Sequence, residues 1–274
     1  MTFITPKTFA VGEVLSAVDM NVFVRDNTAD LDSRISSITD SPFSLRFVGR
    51  ILVTESTTIA FDDMFGDGTD TSFVRALRLI GIGGGGGGAA GGTGNKVGGG
   101  GGAGGRVELF TRSLSDFQPT FAVTIGPGGA GGAVDQSGSN GGNTTAPGVF
   151  AAGGGSGSIS TTSSSADMRT ARGGTGGGQS TPTNSSSTGY VIRTEGDNGL
   201  PGFSIITDTD SSGIQASGQG ASSPFGRGGR GQTNKGGPVF GGTGAGFGSG
   251  GGGGVLTGVG GDGAPGVLII DMFQ

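Results

Sequence analysis

All but four of the 67 glycines in this chain lie after residue 80. The long C-terminal part is therefore about one-third glycine, against roughly 7 % in ordinary proteins. Such a stretch has two physical fates. It stays a flexible linker, because Gly/Ser chains have little apolar surface to bury, or it orders through its backbone alone. Order is costly, since each glycine gives up ~0.5–1 kcal/mol more than alanine when it is fixed. Only a dense set of backbone hydrogen bonds can offset that loss. Three features favour order here. The stretch between Gly126 and Gly266 is long for a spacer, and it is interrupted by Phe150, Tyr190, Phe203, Phe225, Phe240 and Phe247. It also runs into Val267-Leu-Ile-Ile270, a continuous apolar strand that reads as buried on both faces and must return to partners earlier in the chain.

The ordered solution open to glycine is a polyproline-II-like helix with three residues per turn and no internal hydrogen bonds. Its N–H and C=O groups point outward and must find partners. Helices of this kind can pack backbone to backbone wherever the facing residue is glycine. Gly128-Gly-Ala-Gly-Gly-Ala133 has the expected phase of three, with Ala130 and Ala133 on one edge. Gly83–Gly88 has no side chain on any face and suits a central helix touched on all sides. The stretch Gly244-Ala-Gly-Phe-Gly-Ser-Gly250 has period two, which departs from the pattern and argues against collagen.

The remaining elements are conventional. Ser16-Ala-Val-Asp19 has the S-x-x-D form that opens helices, and Val24, Leu31, Ile35 and Ile38 line one side of a predicted helix over residues 17–38. That helix packs on its own domain or serves oligomerisation and attachment to a larger particle. Strands are predicted at residues 46–53, 57–61, 73–82, 107–110, 121–125 and 267–270. The expected fold is thus mainly β and irregular. It comprises an N-terminal arm and short helix (1–44), a small β module (45–125 with 265–274) and an inserted polyglycine-II helix sandwich (126–264).

Composition excludes several functions. Without cysteine or histidine there is no disulfide framework, no thiolate or imidazole metal site and no Ser-His-Asp chemistry. A net charge of −5 without a basic run argues against nucleic-acid binding. No signal peptide opens the chain, and residues 79–95, although uncharged, are too poor in large apolar side chains for a membrane span. No phosphate loop is present, because Gly94-Asn95-Lys96-Val97 and Asn234-Lys235-Gly236 both fail the motif. The pairs Asp62/Asp63 and Asp208/Asp210 lie in turn-rich sequence, where Asp starts turns. Asp208, Asp210 and Ser212 match the start of a calcium loop, but Gln219 stands at the twelfth position, so the turn reading is preferred. Neither an enzyme nor a cofactor is expected.

The segments Phe9–Asn21 and Val24-Arg-Asp-Asn27 resemble the opening of minor tail proteins of long-tailed phages, especially actinobacterial ones. Residues 74–86, 123–132, 221–229 and 263–271 resemble the glycine-rich domain of phage tail fibres and adhesins. The resemblance implies a polyglycine-II sandwich carried on β-strands in the virion at the tail tip. It further implies a homotrimer, other tail proteins as partners, and loops that bind a bacterial cell-surface polymer. Aromatic rings suited to stacking on such a polymer are Tyr190, Phe203, Phe225 and Phe240; the competing reading is that they seal the ends of the glycine helices. A purely structural tail component and a non-viral surface or ice-binding protein are the rival expectations.

Overall fold

The strands form where β-branched and aromatic residues alternate or cluster. They are β1 (Phe47–Val53), β2 (Thr57–Ala60), β3 (Ala76–Ile82), β4 (Arg106–Thr111), β5 (Thr120–Val123), β6 (Thr144–Ala146), β7 (Val149–Ala151), β8 (Met168–Ala171), β9 (Tyr190–Thr194), β10 (Gly202–Ile205), β11 (Ile214–Ala216), β12 (Thr233–Asn234) and β13 (Val267–Phe273). The computed structural model describes residues 45–65, 74–160, 168–178, 190–205, 214–234 and 237–274. The predicted helix over 17–38, with Val24, Leu31, Ile35 and Ile38, lies outside the described residues, as do Asp208, Asp210 and Ser212. Residues 47–274 form one compact unit.

An antiparallel sheet in the order β1-β13-β3-β4-β9 is the centre of the β module. As its apolar run requires, β13 is buried along six of its seven residues, with Val267, Leu268 and Ile270 fully enclosed. One face carries Leu77, Leu79, Val107, Leu109, Leu268 and Ile270 into the main core. The β2–β5 pair brings Phe121, which meets Phe117 edge-on at 5.2 Å. The β6–β7 hairpin closes the same face. Gly81 interrupts the apolar run of β3 because Val149 packs directly on it: a Cβ there would stand 2.6 Å from Val149 Cγ1. A strand not predicted from the sequence, β9, joins this sheet from inside the glycine-rich stretch.

Between strands, the glycine segments pack in an array held by backbone hydrogen bonds. The partners of segment 83–91 change every residue and return every third. Gly83, Gly86 and Ala89 donate to segment 98–105; Gly84, Gly87 and Ala90 donate to 136–143; Gly85, Gly88 and Gly91 donate to 258–265. Its carbonyls accept from 126–135, 152–158 and 248–254. A three-residue repeat of partners is what three residues per turn produces. Segments 98–105 and 248–254 are likewise each surrounded by six neighbours, and the three central segments bond to one another. Nine outer segments complete a hexagonal patch: 126–133, 136–143, 152–158, 172–178, 195–201, 217–222, 226–232, 240–246 and 258–265.

This arrangement accounts for the glycine pattern. The near-unbroken runs are the central segments, because every face meets another backbone. A Cβ at Gly85 would run into the Ser249 carbonyl, one at Gly86 into that of Gly155, and one at Gly101 into that of Gly86. Outer segments carry side chains at every third position, where no neighbour lies: Pro127, Ala130 and Ala133 on one, Val259, Asp262 and Pro265 on the next. The period-two stretch 244–250 is a turn, with Gly246 and Gly248 at φ 77° and 70°, joining two segments at Phe247. Residues 83–105, assigned with the β module from sequence, supply two of the three central segments.

Candidate recognition surfaces

Segment 83–91 leaves β3 at Ile82, so the array has a sheet end and a far end. Eight residues at ~3.1 Å separate them by roughly 25 Å. The four aromatic residues selected from sequence divide between the two. Phe203 and Phe240 lie at the far end, near Gly98 and Val259 respectively. Tyr190 and Phe225 lie at the sheet end, on β9 and beside the Phe247 turn. No single site unites them.

At the far end, β8, β10, β11 and β12 form a small antiparallel sheet capping segments 172–178, 195–201, 217–222 and 226–232. Alternation divides its faces. Ser204 and Gln215 are buried toward the array, whereas Phe203, Ile205 and Ile214 are exposed, with Ile205 directly opposite Ile214. The result is an outward apolar face on a short hairpin. The alternating runs Phe203-Ser-Ile205 and Ile214-Gln-Ala216 are the readable signal. Phe240 lies on the neighbouring outer segments, beside exposed Val259, where Gly241 N–H donates to the Val259 carbonyl.

At the sheet end, direct cross-strand pairing puts Arg50, Asp271, Arg78, Phe110 and Tyr190 in one row on the face opposite the main core. Tyr190 is not on a loop tip. It begins edge strand β9 and is 72 % exposed. Four strands share a charge ladder across this face. Arg50 Nε and Nη2 donate to the Asp271 carboxylate at 2.6 and 3.0 Å, and Arg78 Nη1 stands 3.8 Å from its Oδ2. Arg78 Nε and Arg106 Nη2 donate to the two oxygens of Glu108 at 2.6 and 2.8 Å. Asp271 is only 2 % exposed, so its charge is held by these partners rather than by water. The Arg78 hydrogen bond holds the Glu108 carboxyl below its ordinary range, against the opposing effect of burial and with help from Arg106. Hydrogen bonding to Asp271 raises the Arg50 guanidinium. At the far end, Lys96 and Thr93 similarly hold Asp135 low, and Lys96 Nζ lies 2.8 Å from it.

A cavity of about 310 Å³ opens at the foot of this face, where β4 and β9 pass into the array. Arg106, Thr194, Glu195, Asp197 and Ser222 line it. Sequence points to the aromatic residues; this cavity is not legible there because its residues come from three distant stretches. Among the described residues, no group of three or more acidic, His or Cys side chains gathers as a metal site. No helix among them is long and apolar enough to cross a membrane.

A family model described as a glycine-rich domain matches residues 67–273, which takes in the whole array and most of the β module. No curated protein matches the chain.

Proposed function

The chain belongs to the family of glycine-rich domains, and from that premise we propose that it is a phage minor tail protein, an adhesin at the tail tip that binds a bacterial cell-surface polymer. The observation that carries this reading is the array itself. Segments bonded through their backbones on every side make a stiff body, and its far end presents a small sheet with an outward apolar face. Recognition elements on a rigid scaffold lose little entropy on binding. The array is read as a polyglycine-II sandwich, a reading supported by the three-residue return of hydrogen-bond partners. The work is binding, not turnover. Three copies in a homotrimer would turn weak contacts with a repeating polymer into avid attachment.

The test is immunogold electron microscopy of particles from the source of this gene, with antibody to residues 126–274, together with adsorption in the presence of excess soluble protein. Label at the distal tail tip and competed adsorption support the adhesin. Label along the tail shaft without competition makes the protein a structural component. Particles without label, when the antibody binds the native protein, end the virion reading.

A further inference from the structure

We propose that the cavity at the foot of the sheet, lined by Arg106, Glu195 and Asp197, is a binding site for one ring of a neutral saccharide. The proposal rests on the adhesin reading only for the biological source of the sugar. The cavity is of the size that holds a small ligand, at the lower end of the usual range of roughly 300–1,000 Å³. Its floor is array backbone at Ala103, Gly104 and Gly196. That backbone is fixed: Ala103 N–H donates to the Asp197 carbonyl at 2.9 Å, and Gly196 N–H donates to Gly177 at 3.0 Å. The carboxylates of Glu195 and Asp197 therefore project from positions set before any ligand arrives.

The donor and acceptor set matches hydroxyl groups. Glu195 and Asp197 are acceptors, and each can take protons from ligand hydroxyls. Arg106 is a donor. Its Nη2 is used on Glu108 and its Nε is enclosed by protein, so Nη1 is the atom left to donate to a ligand. Ser222 Oγ accepts from Gly228 N–H at 3.2 Å, which leaves its own proton to donate. Ser223 is already spent, because its hydroxyl donates to the Phe247 carbonyl. Pro224 lines the rim and is followed by exposed Phe225, an apolar surface of the kind that covers the C–H face of a pyranose. Charge selects against the alternatives. A uronate would face two carboxylates, and a bare cation would face a guanidinium; a neutral polyol suits both.

The experiment titrates the full chain, followed by two-dimensional NMR. The probes are glucose, galactose, N-acetylglucosamine, glucuronate and calcium chloride, each to tens of millimolar. The variants are Glu195→Gln, Asp197→Asn and the double mutant, with thermal melts as the control for folding. A saturable shift with at least one neutral sugar is expected, weakened about tenfold in each single variant with an unchanged melt. No shift with any neutral sugar, an equal shift in the double mutant, or a response confined to glucuronate or calcium overturns the assignment. Whole-cell binding of the same proteins separates the two readings. Cells that still bind the double mutant place adhesion at the far end, whereas sugar binding without cell binding removes the adhesin and leaves the site.

Discussion

Gly85→Ala adds one methyl group at the centre of the array, and the structure gives the sign and size of its effect. Gly85 N–H donates to Ala264 at 2.9 Å, and its carbonyl accepts from Gly129 at 2.8 Å. The new Cβ would run into the Ser249 carbonyl, which itself accepts from Ala264 N–H at 2.8 Å. To admit the methyl, segment 248–254 must move away from 83–91, which strains three bonds of that segment together: Gly251 N–H to Gly86, Gly254 N–H to Ala89 and Ala264 N–H to Ser249. At ~0.5–1.5 kcal/mol net for each hydrogen bond, their loss costs about 1.5–4.5 kcal/mol. Overpacking a closed interior adds ~1–3 kcal/mol. A destabilisation of about 2.5–7.5 kcal/mol is a large share of the ~5–15 kcal/mol that holds a typical domain together. Calorimetry of the variant beside wild type and Ala130→Val is the assay. Ala130 sits on an exposed outer row, so its variant belongs within about 0.5 kcal/mol of wild type. The drop is the sharpest criterion. In a flexible linker Gly→Ala restricts the folded and unfolded states alike, so stability stays within about 0.5 kcal/mol of wild type. A melting temperature for Gly85→Ala equal to or above wild type would refute the array.

Three further outcomes are expected. Because Arg78 holds Glu108 low, the folded state favours the carboxylate; its contribution is complete above the unfolded value of about 4.3 and is lost as pH falls through the lower folded value. Melting temperature measured from pH 7 to 3 should drop at the acid end, and Glu108→Gln should flatten that drop; equal acid limbs would remove Glu108 from the account. Leu256 sits at φ 53°, where a Cβ costs ~1–2 kcal/mol and a β-branched residue costs more. Leu256→Gly should therefore melt above Leu256→Val, and the reverse order would show that side-chain contacts outweigh the backbone there. Ile205→Ser with Ile214→Ser removes the outward apolar pair of the far-end hairpin. Stability should change by less than about 1 kcal/mol, while binding of the protein to host cells falls; undiminished binding would take recognition away from that face.

How much was legible depends on what each residue's neighbours read. The central role of Gly83–Gly88 could be seen in the sequence, because a segment with no side chain on any face can be surrounded by backbone, and the structure surrounds it. Ala130 and Ala133 marked an outer edge for the same reason. The strands β1 to β5 and β13 lie within a few residues of their predicted spans, since their β-branched and aromatic runs are strong local signals. Where side chains vanish, so does the signal for register. Nothing in the chain tells segment 98–105 apart from a linker, and nothing pairs it with 152–158 rather than 136–143.

The sequence by itself determined that glycine must order through backbone bonds or not at all. It also determined that the last strand must return to the first ones and that thiol, imidazole and P-loop chemistry are absent. Only the tertiary structure decided which three segments lie at the centre and that β9 belongs to the main sheet. It likewise separated Tyr190 from Phe203 by the length of the array and brought Arg106, Glu195 and Ser222 around one cavity. The physical reason is that glycine carries the capacity for hydrogen bonding but no side chain to specify a partner. Partners are assigned by how the whole array closes, and the positions of the remaining side chains follow from that closure.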